Sequence, residues 1–122
     1  MIIGDKGIFA FVIGQKEDDT MQVVDIWMNN ELITYFDNTV YLPQFINSLV
    51  KEVDNLEKNK IQVDYVFLNY GPTTDDISSR IKLVDDHIKI FVSYNDGKQF
   101  NIQIELMELI KIYKETIGIL TK

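Results

Sequence analysis

The chain has no cysteine among its 122 residues, and only one arginine, one histidine and two prolines. Without cysteine there is no disulfide framework, no thiolate metal site and no thiol nucleophile. With His87 as the sole histidine, no imidazole pair can hold a metal, and there is no second imidazole for a proton relay. With Arg80 as the sole arginine, recognition of phosphates by guanidinium forks has almost nothing to work with. Pro43 and Pro72 are isolated and the glycines do not cluster, so no segment reads as a linker. No stretch approaches the ~20 uninterrupted apolar residues that span a bilayer. The opening Met1-Ile2-Ile3-Gly4-Asp5-Lys6 lacks the basic segment, apolar run and small-residue cleavage site of a secretory signal. The expectation is a soluble cytoplasmic protein with neither membrane nor nucleic acid as a partner.

Cations are also missing from one long segment. Between Glu17 and Val50 there is no Lys or Arg, yet Glu17, Asp18, Asp19, Asp25, Glu31 and Asp37 all fall there. That segment carries −6 of the chain's net −7, so the negative charge belongs to one part of the molecule. A surface of one sign repels nucleic acid and attracts cationic partners. What is present otherwise is ordinary: 46% hydrophobic and 25% charged residues describe a folded chain, not a disordered one. A chain of this length is expected to form one domain over residues 1–122.

Ile8 to Ile13 is a continuous apolar run that suits a strand inside a sheet. Met21 to Met28 and Glu31 to Phe36 flank Asn29-Asn30, a pair that tolerates the left-handed conformations of a two-residue hairpin. Leu42, Phe45, Ile46, Leu49, Val50, Val53 and Leu56 form one stripe of a helix, with Pro43 in its first turn and Lys58-Asn59-Lys60 at its end. Val63 to Leu68 reads as a strand ended by Gly71-Pro72. Ser79 to Glu105 then alternates as a three-strand meander, turning at Asp85-Asp86 and at Asn95-Asp96-Gly97. A closing helix runs from about Glu105 to Ile119, and Ile112 lands near its polar stripe, where only a covering element would account for it. The fold class is α+β: an antiparallel β-sheet with two helices, in the order β-β-β-α-β-β-β-β-α.

Catalytic signatures are sparse. His87 adjoins Asp85 and Asp86, an acid–base pair on paper, but no nucleophile stands at a recognisable spacing. The doublets Asp18-Asp19, Asp75-Asp76 and Asp85-Asp86 lack the alternating ligands, central glycine and terminal glutamate of a calcium loop. Turn formation and helix capping are sufficient reasons for them. Neither a dinucleotide fingerprint nor a phosphate-binding loop occurs, and the aromatics are not interleaved with basic residues. The sequence therefore reads as a non-enzyme without cofactor or metal, working through surface recognition. Trp27 shares a strand face with Val23 and Asp25, so that face is not fully buried unless a bulge intervenes. Trp27 is either core packing or an interface anchor; Tyr35, Tyr41 and Tyr70 default to the core. Met21, Met28 and Met107 read as gap-fillers.

The opening Met1-Ile2-Ile3-Gly4-Asp5-Lys6-Gly7-Ile8-Phe9-Ala10-Phe11 resembles the start of bacterial immunity proteins of the polymorphic-toxin and contact-dependent growth inhibition (CdiI-type) systems. The resemblance continues through Trp27-Met28-Asn29-Asn30-Glu31, the helix opening near Leu42 and the apolar ending of Ile104 to Ile117. It implies an antitoxin that binds the C-terminal domain of a cognate toxin and occludes or distorts its active site. An acidic partner suits a nuclease, which must present cations to phosphates. The expected toxin-binding residues are Glu17, Asp18, Asp19, Asp25, Trp27, Glu31, Asp75 and Asp76. Two other readings remain open. One is a secretion-type chaperone that holds a client segment on an apolar groove. The other is an enzyme using His87 with Asp85 or Asp86.

Overall fold

The computed structural model describes residues 1–35, 37–58, 65–67 and 77–122. Among these the chain runs through β1 (Ile2–Asp5), β2 (Phe9–Lys16), β3 (Met21–Met28), β4 (Glu31–Leu32), β5 (Thr39–Tyr41) and α1 (Leu42–Glu57). It continues through β6 (Tyr65–Phe67), β7 (Ile77–Val84), β8 (His87–Tyr94), β9 (Gln99–Glu105) and α2 (Leu106–Leu120). The α+β class is as expected, but the strands form two antiparallel sheets and five of them, not three, precede α1. The first sheet has the order β1-β2-β3-β4, with β5 also paired to β3; the second has the order β6-β7-β8-β9.

Asn29 and Asn30 both adopt positive φ, 56° and 61°, as a type I′ turn requires, and set Met28 opposite Glu31. The second strand of that hairpin is short. After Leu32 the backbone turns: the Ile33 N–H reaches the Ile26 carbonyl at 2.8 Å, and Thr34 takes up contacts with Asp25 described below. Phe36, at the end of the expected strand, lies outside the described residues, as do Tyr70, Gly71 and Pro72. The chain returns through β5, which lies against the other end of β3. In the second sheet, Asp85 at φ 56° turns β7 into β8. A three-residue loop ending in Gly97, φ 94°, turns β8 into β9 and returns the Tyr94 N–H to the Lys98 carbonyl at 2.8 Å.

Helix α1 buries Leu42, Phe45, Leu49, Val53 and Leu56, but Val50 is exposed and Glu52 is buried. At 100° per residue Val50 sits about 80° around the helix from Leu42, and Glu52 sits a similar angle to the other side. The buried stripe is thus rotated toward Glu52, whose carboxylate accepts the Tyr65 hydroxyl from β6. Asn55 Nδ2 donates to the same Tyr65 oxygen at 2.8 Å. Burial, and after it the hydrogen bond to Glu52, push the Tyr65 phenol above its ordinary pKa.

The covering element that Ile112 demands is β1. Ile112 on α2 is buried, and its Cδ1 lies 3.0 Å from where a Cβ on Gly4 would stand. That Cβ would also meet the Phe9 carbonyl oxygen at 2.4 Å, and Gly4 has φ +104°, so only glycine fits this close approach. Met107 on the same helix is exposed and fills no gap. One contiguous core joins both sheets and both helices. At its centre Tyr113 of α2 touches Phe9 and Phe11 of β2 and Phe67 of β6, with ring centroids 5.9, 5.3 and 6.2 Å away. Phe11 in turn meets Phe45 of α1 edge-on at 6.3 Å.

Candidate functional site

The acidic residues of the first half are spread along β3, not gathered. Glu17, Asp18 and Asp19 lie on the exposed connection that enters β3, whereas Glu31 lies beyond the turn at its far end. At 3.3 Å per residue, Met21 and Trp27 alone are roughly 20 Å apart.

Three of these carboxylates, Asp18, Asp25 and Glu31, are held by partners of their own. Asp18 Oδ1 accepts the Thr20 N–H at 2.7 Å, the Thr20 hydroxyl at 2.9 Å and the Met21 N–H at 2.9 Å. These donors, the Thr20 backbone first, hold the carboxyl below its ordinary pKa. Asp18 is therefore the residue that forms the loop. The Glu17 N–H bonds the Met21 carbonyl at 2.8 Å and the Leu42 N–H bonds the Thr20 carbonyl at 2.7 Å, which seats the loop beside the start of α1. Glu17 and Asp19 are exposed on this fixed loop. Beside it Tyr41, opposite Met21, is exposed, contrary to its expected place in the core. Tyr35 is exposed as well. Neither exposure is legible from the sequence, because Tyr41 closes a strand of three residues and Tyr35 lies in a turn, where no alternation assigns a face.

Burial alternates without interruption along β3, so Val23, Asp25 and Trp27 do share its less buried face. The bulge lies in β2, between Ile13 and Lys16. Asp25 Oδ1 accepts Thr34 Oγ1 at 2.8 Å and Asn38 Nδ2 at 3.1 Å, while Thr34 Oγ1 accepts the Ile26 N–H at 3.2 Å. Its charge thus organises the chain between β4 and β5. Trp27 is half-buried with the Lys6 ammonium 4.4 Å above its ring, neither core nor open anchor. Glu31 accepts Lys98 Nζ across from the second sheet, and this contact raises the lysine's pKa. Asp75 and Asp76 lie outside the described residues.

The second sheet presents the opposite sign. On the face turned away from the core, Arg80, Lys82 and Lys89 stand together with the exposed Phe91. At the tip of the same sheet His87 Nδ1 lies 2.6 Å from Asp86 Oδ1, an exposed pair between neighbouring residues of the turn.

A surface cavity of about 400 Å³ between β1 and α2 is lined by Asp5, Glu108, Lys111 and Glu115 over apolar walls, with no hydroxyl or imidazole side chain in its lining. Among the described residues no group of three or more His, Cys, Asp or Glu is placed to hold a metal ion. No described helix is long and apolar enough to cross a membrane.

No known family pattern matches the sequence, and no curated protein matches it either. The fold does match a solved structure, that of CdiI from Burkholderia dolosa AUO158. The TM-score is 0.66 over 97% of this chain and 99% of that one, at 11% sequence identity. The likeness is one of fold, over nearly the full length of both chains.

Proposed function

We propose that this protein is a CdiI-type immunity protein, one domain over residues 1–122 that binds and neutralises the C-terminal domain of a cognate toxin in the cytoplasm. The observation that carries this reading is the likeness of fold to CdiI across nearly the whole of both chains. An antitoxin of this kind works by affinity and needs no catalytic group of its own. The surface proposed for capture is the acidic connection with Glu17 and Asp19, beside Tyr41, extended by Asp25 and Trp27 along β3. Exposed carboxylates on a fixed loop speed the approach of a cationic nuclease domain. Tyr41 supplies the aromatic anchor from which much of the affinity must come, since rim ion pairs contribute only about 0–1 kcal/mol each.

The test is growth of cells expressing the toxin domain encoded beside this chain. Co-expression of the parent chain restores growth, and failure to do so overturns the assignment. With purified proteins, the association rate falls steeply as salt is raised; a rate unchanged between low and physiological salt removes the electrostatic part. Glu17→Lys with Asp19→Lys slows capture while leaving the Asp18 contacts intact. Protection equal to the parent's by that variant excludes the loop as the contact.

A further inference from the structure

The outward side chains of β7, β8 and β9 number twelve, and they include Arg80, Lys82 and Lys89 but one carboxylate, Glu105. This face is +2 in a chain of −7, so the rest of the molecule carries −9. Two of the cations are also placed where folding alone disfavours them. Lys82 stands directly opposite Lys89 in the β7–β8 ladder, and Arg80 follows two residues along β7, opposite Phe91. Like charges directly opposed across an antiparallel pair destabilise it. Among the described residues no carboxylate forms an ion pair with any of the three. Lys89 Nζ rests 5.4 Å above the Phe91 ring instead, and that ring is 41% exposed.

We infer that this face is a docking surface for a carboxylate-bearing protein segment with an apolar residue at its centre. Charge complementarity identifies the occupant. Three cations without an ion pair among the described residues, set around an exposed aromatic, match two or three carboxylates flanking a side chain that can lie on Phe91. A long nucleic acid is disfavoured, because the −9 elsewhere repels an extended polyanion and Arg80 is the only guanidinium. The inference goes beyond the immunity reading and does not depend on it, since it concerns the opposite sheet and a partner surface of opposite sign.

The test is an NMR titration of the full chain with a synthetic twelve-residue peptide of Asp and Glu around a central Leu, and in parallel with a short DNA duplex. The peptide is expected to move the amide signals of Arg80, Lys82, Lys89 and Phe91 together, and to lose affinity as salt is raised. Lys82→Glu, which faces Lys89 with an opposite charge and so keeps the fold, weakens the peptide by more than about tenfold. Shifts that are absent, or scattered over Lys58, Lys114 and Lys122, overturn the assignment. Binding of the duplex at the same four residues as tightly as the peptide overturns the choice of a protein partner.

Discussion

The acidic residues around the first sheet and the basic residues on the second differ in what they are doing. Asp18 holds a loop, Asp25 gathers Thr34 and Asn38, and Glu31 reaches Lys98. Across the molecule Lys82 and Lys89 confront each other, and no described carboxylate pairs with either. The comparison separates charge that builds the fold from charge that the fold tolerates. A run of carboxylates is conspicuous in the sequence, yet much of it is committed internally. Three cations hidden in an alternating strand pattern have no ion pair among the described residues.

If the two sheets belong to one cooperative unit, Tyr113 is where breaking it costs most. Its ring touches Phe9 and Phe11 of the first sheet and Phe67 of the second. Tyr113→Ala should cost roughly 3–5 kcal/mol, as deletion of a large buried ring does. Signals from both sheets should shift to the same lower melting temperature. Two separate transitions would divide the molecule between its sheets.

The next effect lies at the joint between α1 and the second sheet. Tyr65→Phe removes the hydroxyl that donates to buried Glu52 and should cost about 1–3 kcal/mol in denaturant unfolding. Because the folded-state pKa of Tyr65 is raised, its contribution is complete below the ordinary value of 10.0 and is lost as pH climbs through the folded-state value. The parent should therefore lose more stability than Tyr65→Phe above pH 10. Equal losses would mean that this hydroxyl does not tie the halves together.

Lys82→Glu acts in the other direction. Replacing a like pair by an opposite one across the ladder should stabilise the protein by about 0.2–1 kcal/mol. A destabilised variant would show that Lys82 has a structural partner after all. The smallest effect separates two neighbouring carboxylates on the acidic loop. Asp18→Ala should lower the melting temperature at neutral pH, whereas Asp19→Ala should leave it unchanged. The Asp18 pKa is depressed on folding, so its contribution is present above the ordinary value of 3.8 and fades as pH falls through the folded-state value. The gap between the two variants should narrow as pH falls below 3.8, and a gap that does not narrow would point to a cause other than the carboxylate's charge.

Several elements were legible because a local rule decided them. Asn29-Asn30 turned where side chains that tolerate positive φ stood between two apolar segments. The meander of β7, β8 and β9 followed its alternation, and α1 followed its stripe apart from the Val50 and Glu52 edges. β1 was not legible, since Ile2-Ile3-Gly4-Asp5 is too short for a period to register and exists as a strand by pairing with β2. Its one trace was negative: Ile112 was apolar where α2 had no visible reason to be. The candidate site was legible as a list of acidic residues and a shared Asp25–Trp27 face. Their commitment to partners thirteen residues away or on another sheet was not.

Neighbours along the chain settle some properties without any fold: the lack of thiol chemistry and of an imidazole pair, the α+β class, the turn residues and the sign of each segment. Tertiary structure alone decided that the strands divide into two sheets, that Gly4 makes room for Ile112, and that Lys82 faces Lys89. The physical reason is the period of a strand. Alternation assigns a side chain to one of two faces, but not what lies opposite it. That is set by the register between strands, which brings together residues with no relation in the sequence.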